Sequence, residues 1–177
     1  MQYELIIIGG GPAGAAAAVY AARKRIKTLL ITESWGGQST DSLGIQNWIG
    51  TVEVSGLEFG KMLKAHVSHY ADKSIEMREG RVEKVSKSEQ GFIVKTDSRE
   101  YTSKTIVVAT GSTRRKLEVE GAKEYENKGI VYCASCDGPL FADQQVVVIG
   151  GGNAAFETAA QLLAYCKSVT LVNRSDK

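Results

Sequence analysis

The sequence predicts an α/β protein made of two successive strand, turn, helix and strand units of the parallel type. Three observations predict it. Apolar runs at residues 4–8 and 146–149 each end in a glycine-rich turn, and each turn opens a helical segment. A second apolar run closes each unit, at residues 28–31 and 169–172. Strands that alternate with helices in this way pair in parallel and are covered on both faces. Between the two units stands Cys133-Ala134-Ser135-Cys136-Asp137, a C-x-x-C pair.

Composition bounds the function. Of the 177 residues 43% are apolar and 24% charged, with 2 prolines, which is the profile of a packed globular chain. The 22 basic and 20 acidic residues are interspersed and leave a formal charge of +2, so no nucleic-acid surface and no acidic partner is indicated. The apolar start at residues 5–8 is too short for a signal sequence, and no stretch reaches the length of a membrane span. The expectation is a cytoplasmic protein. There, 3 cysteines point to catalytic or metal-binding use rather than to a disulfide framework.

In the first unit, residues 4–8 run directly into Gly9, Gly10, Gly11, Pro12, Ala13 and Gly14, and an alanine-rich helix follows to Arg25. Gly9, Gly11 and Gly14 match Gly-x-Gly-x-x-Gly, and Glu33 stands 19 residues after the last glycine. Small residues let the backbone approach a pyrophosphate, the helix N-terminus offers it unpaired N–H groups, and the acid accepts from a ribose hydroxyl. In this context the motif reads as a dinucleotide site rather than a packing turn.

Residues 34–54 carry Trp35, Gly36, Gly37, Gln38, Gln46, Asn47 and Trp48 without a period, either as a functional loop or as a surface loop pinned by its tryptophans. Ser55 with Glu58 reads as a capping box. The helix it opens runs to about Tyr70, with Leu57, Met62, Leu63, Val67 and Tyr70 as its buried stripe. His66 and His69 on that helix, with Cys133 and Cys136, would make a Cys2His2 zinc set. The pairs are 64 residues apart, and solvated or packed helix histidines are preferred. Residues 81–86 and 91–96 alternate as a hairpin, Tyr101 starts a further extended piece, and residues 105–109 read as a buried strand. Thr110, Gly111 and Ser112 then turn away at the strand end where such sheets bind ligands. A domain junction is placed near residue 113, and the basic Arg114, Arg115 and Lys116 read as a solvated linker.

The second unit repeats the logic. Gly150, Gly152 and Ala155 form Gly-x-Gly-x-x-Ala, opening a helix to about Tyr165, with Cys166 as a small buried hydrophobe. The closing strand ends at Asn173, Arg174 and Ser175, where no acid meets a ribose diol and an arginine is available to a 2′-phosphate, so NADP is favoured over NAD. The C-x-x-C pair between the units can close and reopen a disulfide. A zinc site would want a second pair in register. Asp137 is placed to move a proton, although Asp137-Gly138-Pro139 also reads as a turn.

Taken together, residues 9–14, Gly37-Gln38, Asn47-Trp48, Ala109-Thr110-Gly111, residues 133–137 and residues 150–157 resemble bacterial low-molecular-weight thioredoxin reductase. The stretch from Tyr125-Glu126-Asn127-Lys128-Gly129 to Cys136-Asp137-Gly138-Pro139-Leu140-Phe141 is also similar to the flavoprotein subunit of alkyl hydroperoxide reductase. The resemblance spans the whole chain and rests on the joint order of the motifs. It implies an FAD-binding Rossmann-like domain, with residues 1–112 as its N-terminal portion, interrupted by an NAD(P)-binding Rossmann-like domain that starts in residues 113–177. By matching positions it implies that Gly9, Gly11, Pro12, Ala13, Gly14 and Glu33 hold the pyrophosphate and ribose of FAD. Gly37, Gln38 and Asn47 would approach the flavin, and Thr110 and Gly111 would make a second FAD contact. Gly150, Gly152, Asn153, Ala155 and Glu157 would serve NADPH, with Arg174 at the 2′-phosphate.

The implied activity is a thioredoxin-disulfide reductase type oxidoreductase. Electrons pass from NADPH through FAD to a Cys133–Cys136 disulfide and on to a thioredoxin-like disulfide protein, with Asp137 as the acid. Cys136 would be the flavin-side sulfur and Cys133 the attacking one, and the full-length form is expected to be a homodimer. The pattern departs from the family in keeping only Arg174 among the basic residues at 173–175, so NADH use is possible. The chain stops at Lys177, just after the second strand of the nucleotide fold, so both domains are expected to be incomplete. The alternative expectation is a truncated, non-catalytic dinucleotide-binding or interaction module.

Overall fold

The computed structural model describes residues 2–71, 74–113 and 115–174. They divide into two compact units: Met1–Ile45 with Val54–Thr113, and Gln46–Glu53 with Arg114–Lys177.

The first unit contains strands β1 (Gln2–Gly10), β2 (Thr28–Trp35), β3 (Ile75–Glu79), β4 (Val82–Ser88), β5 (Gly91–Thr96) and β6 (Glu100–Val108), with helices α1 (Pro12–Arg23) and α2 (Gly56–Ser68). They form one sheet in the order β3-β2-β1-β6-β5-β4. β1 pairs in parallel with β2 and β6, β2 with β3, and the β4–β5 hairpin continues antiparallel onto β6. The continuous apolar run of β1 follows from its place at the centre. Ile7 packs with Leu30, Ile75, Val67 and the alanines of α1 on one face, while Ile6 and Ile8 pack with Tyr3, Leu29, Ile31 and Val94 on the other. Ala15, Ala18 and Ala22 are all buried on α1, and their small side chains let it lie close to the sheet.

The second unit contains a short helix α3 (Ala134–Asp137), a 3-10 turn at Gly138–Phe141, strands β7 (Gln145–Ile149) and β8 (Ser168–Val172), and helix α4 (Asn153–Leu162). β7 and β8 pair in parallel in register from Gln145 with Ser168 to Ile149 with Val172.

The expected elements form, with corrections. The extended piece at Tyr101 and the strand at 105–109 are a single strand, because Gln2 and Tyr3 of β1 already pair with Thr102 and Ser103. β3 was not anticipated. α2 ends at Ser68, short of the expected Tyr70, and its stripe is Phe59, Leu63 and Val67, with Tyr70 packing on the core just beyond it, whereas Leu57 and Met62 are exposed, because the face that meets the sheet is rotated from the expected one. Ser55 does cap α2, its hydroxyl accepting from Glu58 N–H at 3.3 Å. α4 ends three residues early, and Cys166 lies beyond it, free and half-buried rather than buried. In β7 only Val148 is buried, since Val147 and Ile149 have no covering layer among the described residues. Val108 near the end of β6 is likewise exposed. Arg114 of the basic triplet and Ser175 lie outside the described residues, while Lys116 pairs with Glu126 at 2.6 Å.

Candidate functional site: two glycine turns and a disulfide

In the first unit three segments meet where β1 ends. β2 and β6 lie on opposite sides of β1, so this is the point at which the strand order reverses and a crevice opens at the carboxyl ends of the strands. Gly9 has φ +114°, and a β-carbon there would fall 2.2 Å from the carbonyl oxygen of Ala109. Only glycine therefore lets the 109–111 turn reach β1. A β-carbon at Gly14 would lie 1.9 Å from the carbonyl oxygen of Gly9, so α1 starts in direct backbone contact with the strand. A β-carbon on Gly37 would stand 3.6 Å from the Cα of Gly11, and Gln38 Nε2 donates to Ser112 Oγ at 3.4 Å.

Gly11 itself faces open space. It is the N-cap of α1, with no side chain capping the helix and no acid in the first turn, and Pro12 and Ala13 follow. This is the environment a pyrophosphate needs: a positive helix end, unobstructed backbone and no competing carboxylate. Glu33 is exposed on β2, beyond the buried run that ends at Thr32. Thr110 and Gly111, the latter at φ +65°, lie on the turn beside Gly9. Asn47 falls in Gln46–Glu53, the segment that groups with the second unit.

The second unit holds a similar turn. Gly150 has φ +144°, and a β-carbon on it would sit 3.1 Å from the Cβ of Ala155, so alanine is the packing residue at the third motif position. Gly152 faces open space and caps α4, again without a side-chain cap. Asn153 begins the helix and Glu157 is exposed one turn on. A β-carbon at Gly151 would meet the side chain of Asn173 at 2.3 Å, which puts the end of β8 directly against the turn, with exposed Arg174 next. The residues present therefore fit a nucleotide in each turn.

Cys133 and Cys136 are joined as a disulfide with their Cα atoms 5.3 Å apart. Cys133 is the N-cap of α3, and its sulfur accepts the Cys136 N–H at 3.2 Å. Asp137 N–H donates to the Cys133 carbonyl at 2.9 Å, and its side chain is half-buried at the end of the same turn. Cys133 and Cys136 are both half-buried residues rather than core ones, which suits a pair that exchanges with an outside disulfide. His66 and His69 lie in the other unit on the exposed face of α2, where their rings pack with Tyr70 at 6.2 and 5.1 Å.

Residues 3–177 match the pyridine nucleotide-disulphide oxidoreductase family. The chain belongs to that family. Among curated relatives, the F component of alkyl hydroperoxide reductase in Xanthomonas campestris pv. phaseoli is 41% identical over 177 residues, 99% of this chain and 33% of that protein. Among solved structures, thioredoxin reductase from Streptococcus pyogenes MGAS5005 superposes with a TM-score of 0.89 at 37% identity, over 99% of this chain and 57% of that one. Thioredoxin reductase from Giardia duodenalis gives 0.92 at 30% identity, over the same shares. The chain thus spans a third of the curated relative and somewhat over half of the solved structures. As a member of the pyridine nucleotide-disulphide oxidoreductases it has an α/β fold with a parallel-rich sheet of the FAD-binding Rossmann-like type, and its named relatives are reductases. Among the described residues no helix is long and apolar enough to cross a membrane.

Several contacts that shape these sites escaped the sequence reading. A β-carbon at Gly56 would lie 1.9 Å from the Ser39 carbonyl oxygen, and one at Gly36 would lie 3.0 Å from the Cα of Gly60, so glycines dock α2 onto the segment that carries Gln38. The four-residue spacing of Gly56 and Gly60, which puts both on one helix face, was the available signal. Gln161 had none, and Ser112 was read as part of the turn without its bond to Gln38.

Proposed function

We propose that this chain carries the nucleotide turns and the redox disulfide of a cytoplasmic flavin-dependent disulfide reductase. It would move electrons from NADPH through FAD to Cys133–Cys136 and then to a thioredoxin-like protein. The observation that carries the reading is the Cys133–Cys136 disulfide, borne by a chain of this family with two glycine turns that are open at a helix N-terminus.

Gly9, Gly11, Pro12, Ala13, Gly14 and Glu33 would hold FAD, with Gly37, Gln38, Asn47, Thr110 and Gly111 along its length. Gly150, Gly152, Asn153, Ala155, Glu157 and Arg174 would hold NADPH. Bound FAD supplies a two-electron store between the nicotinamide and the thiol pair. The chain's own part starts at the disulfide. Two electrons and two protons convert it to a dithiol, and the Cys136 N–H already aimed at the Cys133 sulfur is placed to receive negative charge there. Cys133, as thiolate, attacks a partner disulfide and releases one partner thiolate, which Asp137 is placed to protonate. Cys136 then displaces the second partner sulfur, and the Cys133–Cys136 bond is restored.

The reading is tested in the full-length protein with thioredoxin or a peroxiredoxin-type protein as acceptor. Cys133→Ser and Cys136→Ser should each abolish reduction of the acceptor while leaving flavin binding intact. Retained turnover in either variant overturns the proposal.

A further inference from the structure

The segment from Ser135 to Gln144 is gripped by the C-terminal end of α4 and the residues just after it. Gly138 is buried, and a β-carbon there would come 3.3 Å from Leu162 Cδ2 and 3.6 Å from the ring of Tyr165. Asp143 N–H donates to the Tyr165 carbonyl and Lys167 N–H to the Gln144 carbonyl, both at 2.9 Å. One contact reaches inside the C-x-x-C ring: Ser135 Oγ donates to Gln161 Oε1 at 3.0 Å.

We propose that Gln161 is a positioning residue for the Cys133–Cys136 pair, acting through the Ser135 hydroxyl. The inference rests on the reading of that pair as redox-active. Closing the ring requires Ala134 and Ser135 to adopt the turn that brings the two sulfurs together, and the cost is the conformational freedom those residues have in the dithiol. A hydrogen bond that holds Ser135 on α4 in both states removes part of that freedom beforehand and raises the effective concentration of one thiol at the other. Gln161 thereby favours the disulfide without touching a sulfur. The α4 helix that bears it is capped by Gly152, so one element carries the second glycine turn at its start and the clamp on the disulfide near its end.

The experiment equilibrates this chain in buffers of reduced and oxidised glutathione. The dithiol and glutathione disulfide exchange to the protein disulfide and two glutathione thiols, and cysteines 133 and 136 are then alkylated and counted by peptide mass. Gln161→Ala and Ser135→Ala should each lower the constant for disulfide formation about threefold. That is about 14 mV toward a more oxidising pair, at roughly 30 mV per tenfold change. Combining the two should add nothing further, since both remove one bond. Ser135→Thr, which keeps the hydroxyl, should stay near the unsubstituted value. Additive shifts in the double variant, or no shift in either single variant, overturn the inference. If the unsubstituted pair stays reduced at every glutathione ratio, the redox reading fails and the inference falls with it, an outcome distinct from a reversible pair that ignores Gln161.

Discussion

The carbonyl oxygen of Gly9 occupies the space that a β-carbon of residue 14 would need, 1.9 Å from its ideal position. Strand β1 and helix α1 touch through bare backbone at this point, and the open turn at Gly11 exists because they do. Gly14→Ala should therefore push α1 off β1 and lower the unfolding free energy by roughly 2–4 kcal/mol. Gly11→Ala meets nothing in the protein and should leave denaturant midpoints almost unchanged while weakening flavin binding, because its methyl projects into the free space. Paired urea melts and flavin titrations separate the two effects.

Tyr3 sets an alkaline limit on stability. It is 7% exposed, and its hydroxyl donates to Glu76 Oε2 at 2.6 Å. Burial, then that hydrogen bond and the charge of Glu76, push its pKa from 10.0 up to about 12. The folded state thus resists losing this proton more than the unfolded chain does. Its contribution is full below pH 10 and is lost as pH rises toward 12, on the order of 2 kcal/mol in all. Unfolding free energies measured across this window should fall more steeply for the unsubstituted protein than for Tyr3→Phe.

Ser103 is fully buried in β6, and its hydroxyl has no partner among the described residues. An unpaired buried hydroxyl costs about 1–3 kcal/mol of desolvation. Ser103→Ala should raise the thermal midpoint, and a drop would show that the hydroxyl is satisfied.

Nucleotide preference should depend on the end of β8. Asn173 lies against Gly151, and Arg174 is the exposed cation beside it. Arg174→Ala should reduce the preference for NADPH over NADH by about tenfold, the scale of one charge-assisted contact to phosphate. Asn173→Glu, which restores an acceptor for a ribose diol, should move the preference toward NADH. The ratio of kcat/KM values for the two nucleotides in the full-length protein reads both.

β1 and β2 and the turn glycines Gly9 and Gly14 were legible in the sequence because burial on both faces favours a continuous apolar run and close backbone approach admits only glycine. β3 was not, since Ile75-Glu76-Met77-Arg78-Glu79 is an edge strand with three charges in five positions and lacks a bounding glycine or proline on its N-terminal side. The stripe of α2 was misplaced because Leu57 and Phe59 both begin plausible helical periods, and only the docking of the glycine face against residues 35–40 decides between them. The hydrogen bond from Ser135 to Gln161 joins residues 26 positions apart and is fixed by how α4 lies on the turn, which no local pattern encodes. Of the candidate site, the residue types were readable, and the supports that aim them were not.

In the proposed reaction, electrons entering from a nicotinamide reach Cys133 and Cys136. The direct measurement is an anaerobic titration of the flavin-loaded full-length protein with NADPH, and separately with NADH, following flavin absorbance and free thiols together. The flavin should bleach and two new thiols should appear per chain, at lower concentrations of NADPH than of NADH, with no new thiols in Cys136→Ser. Bleaching without new thiols in the unsubstituted protein would contradict this route.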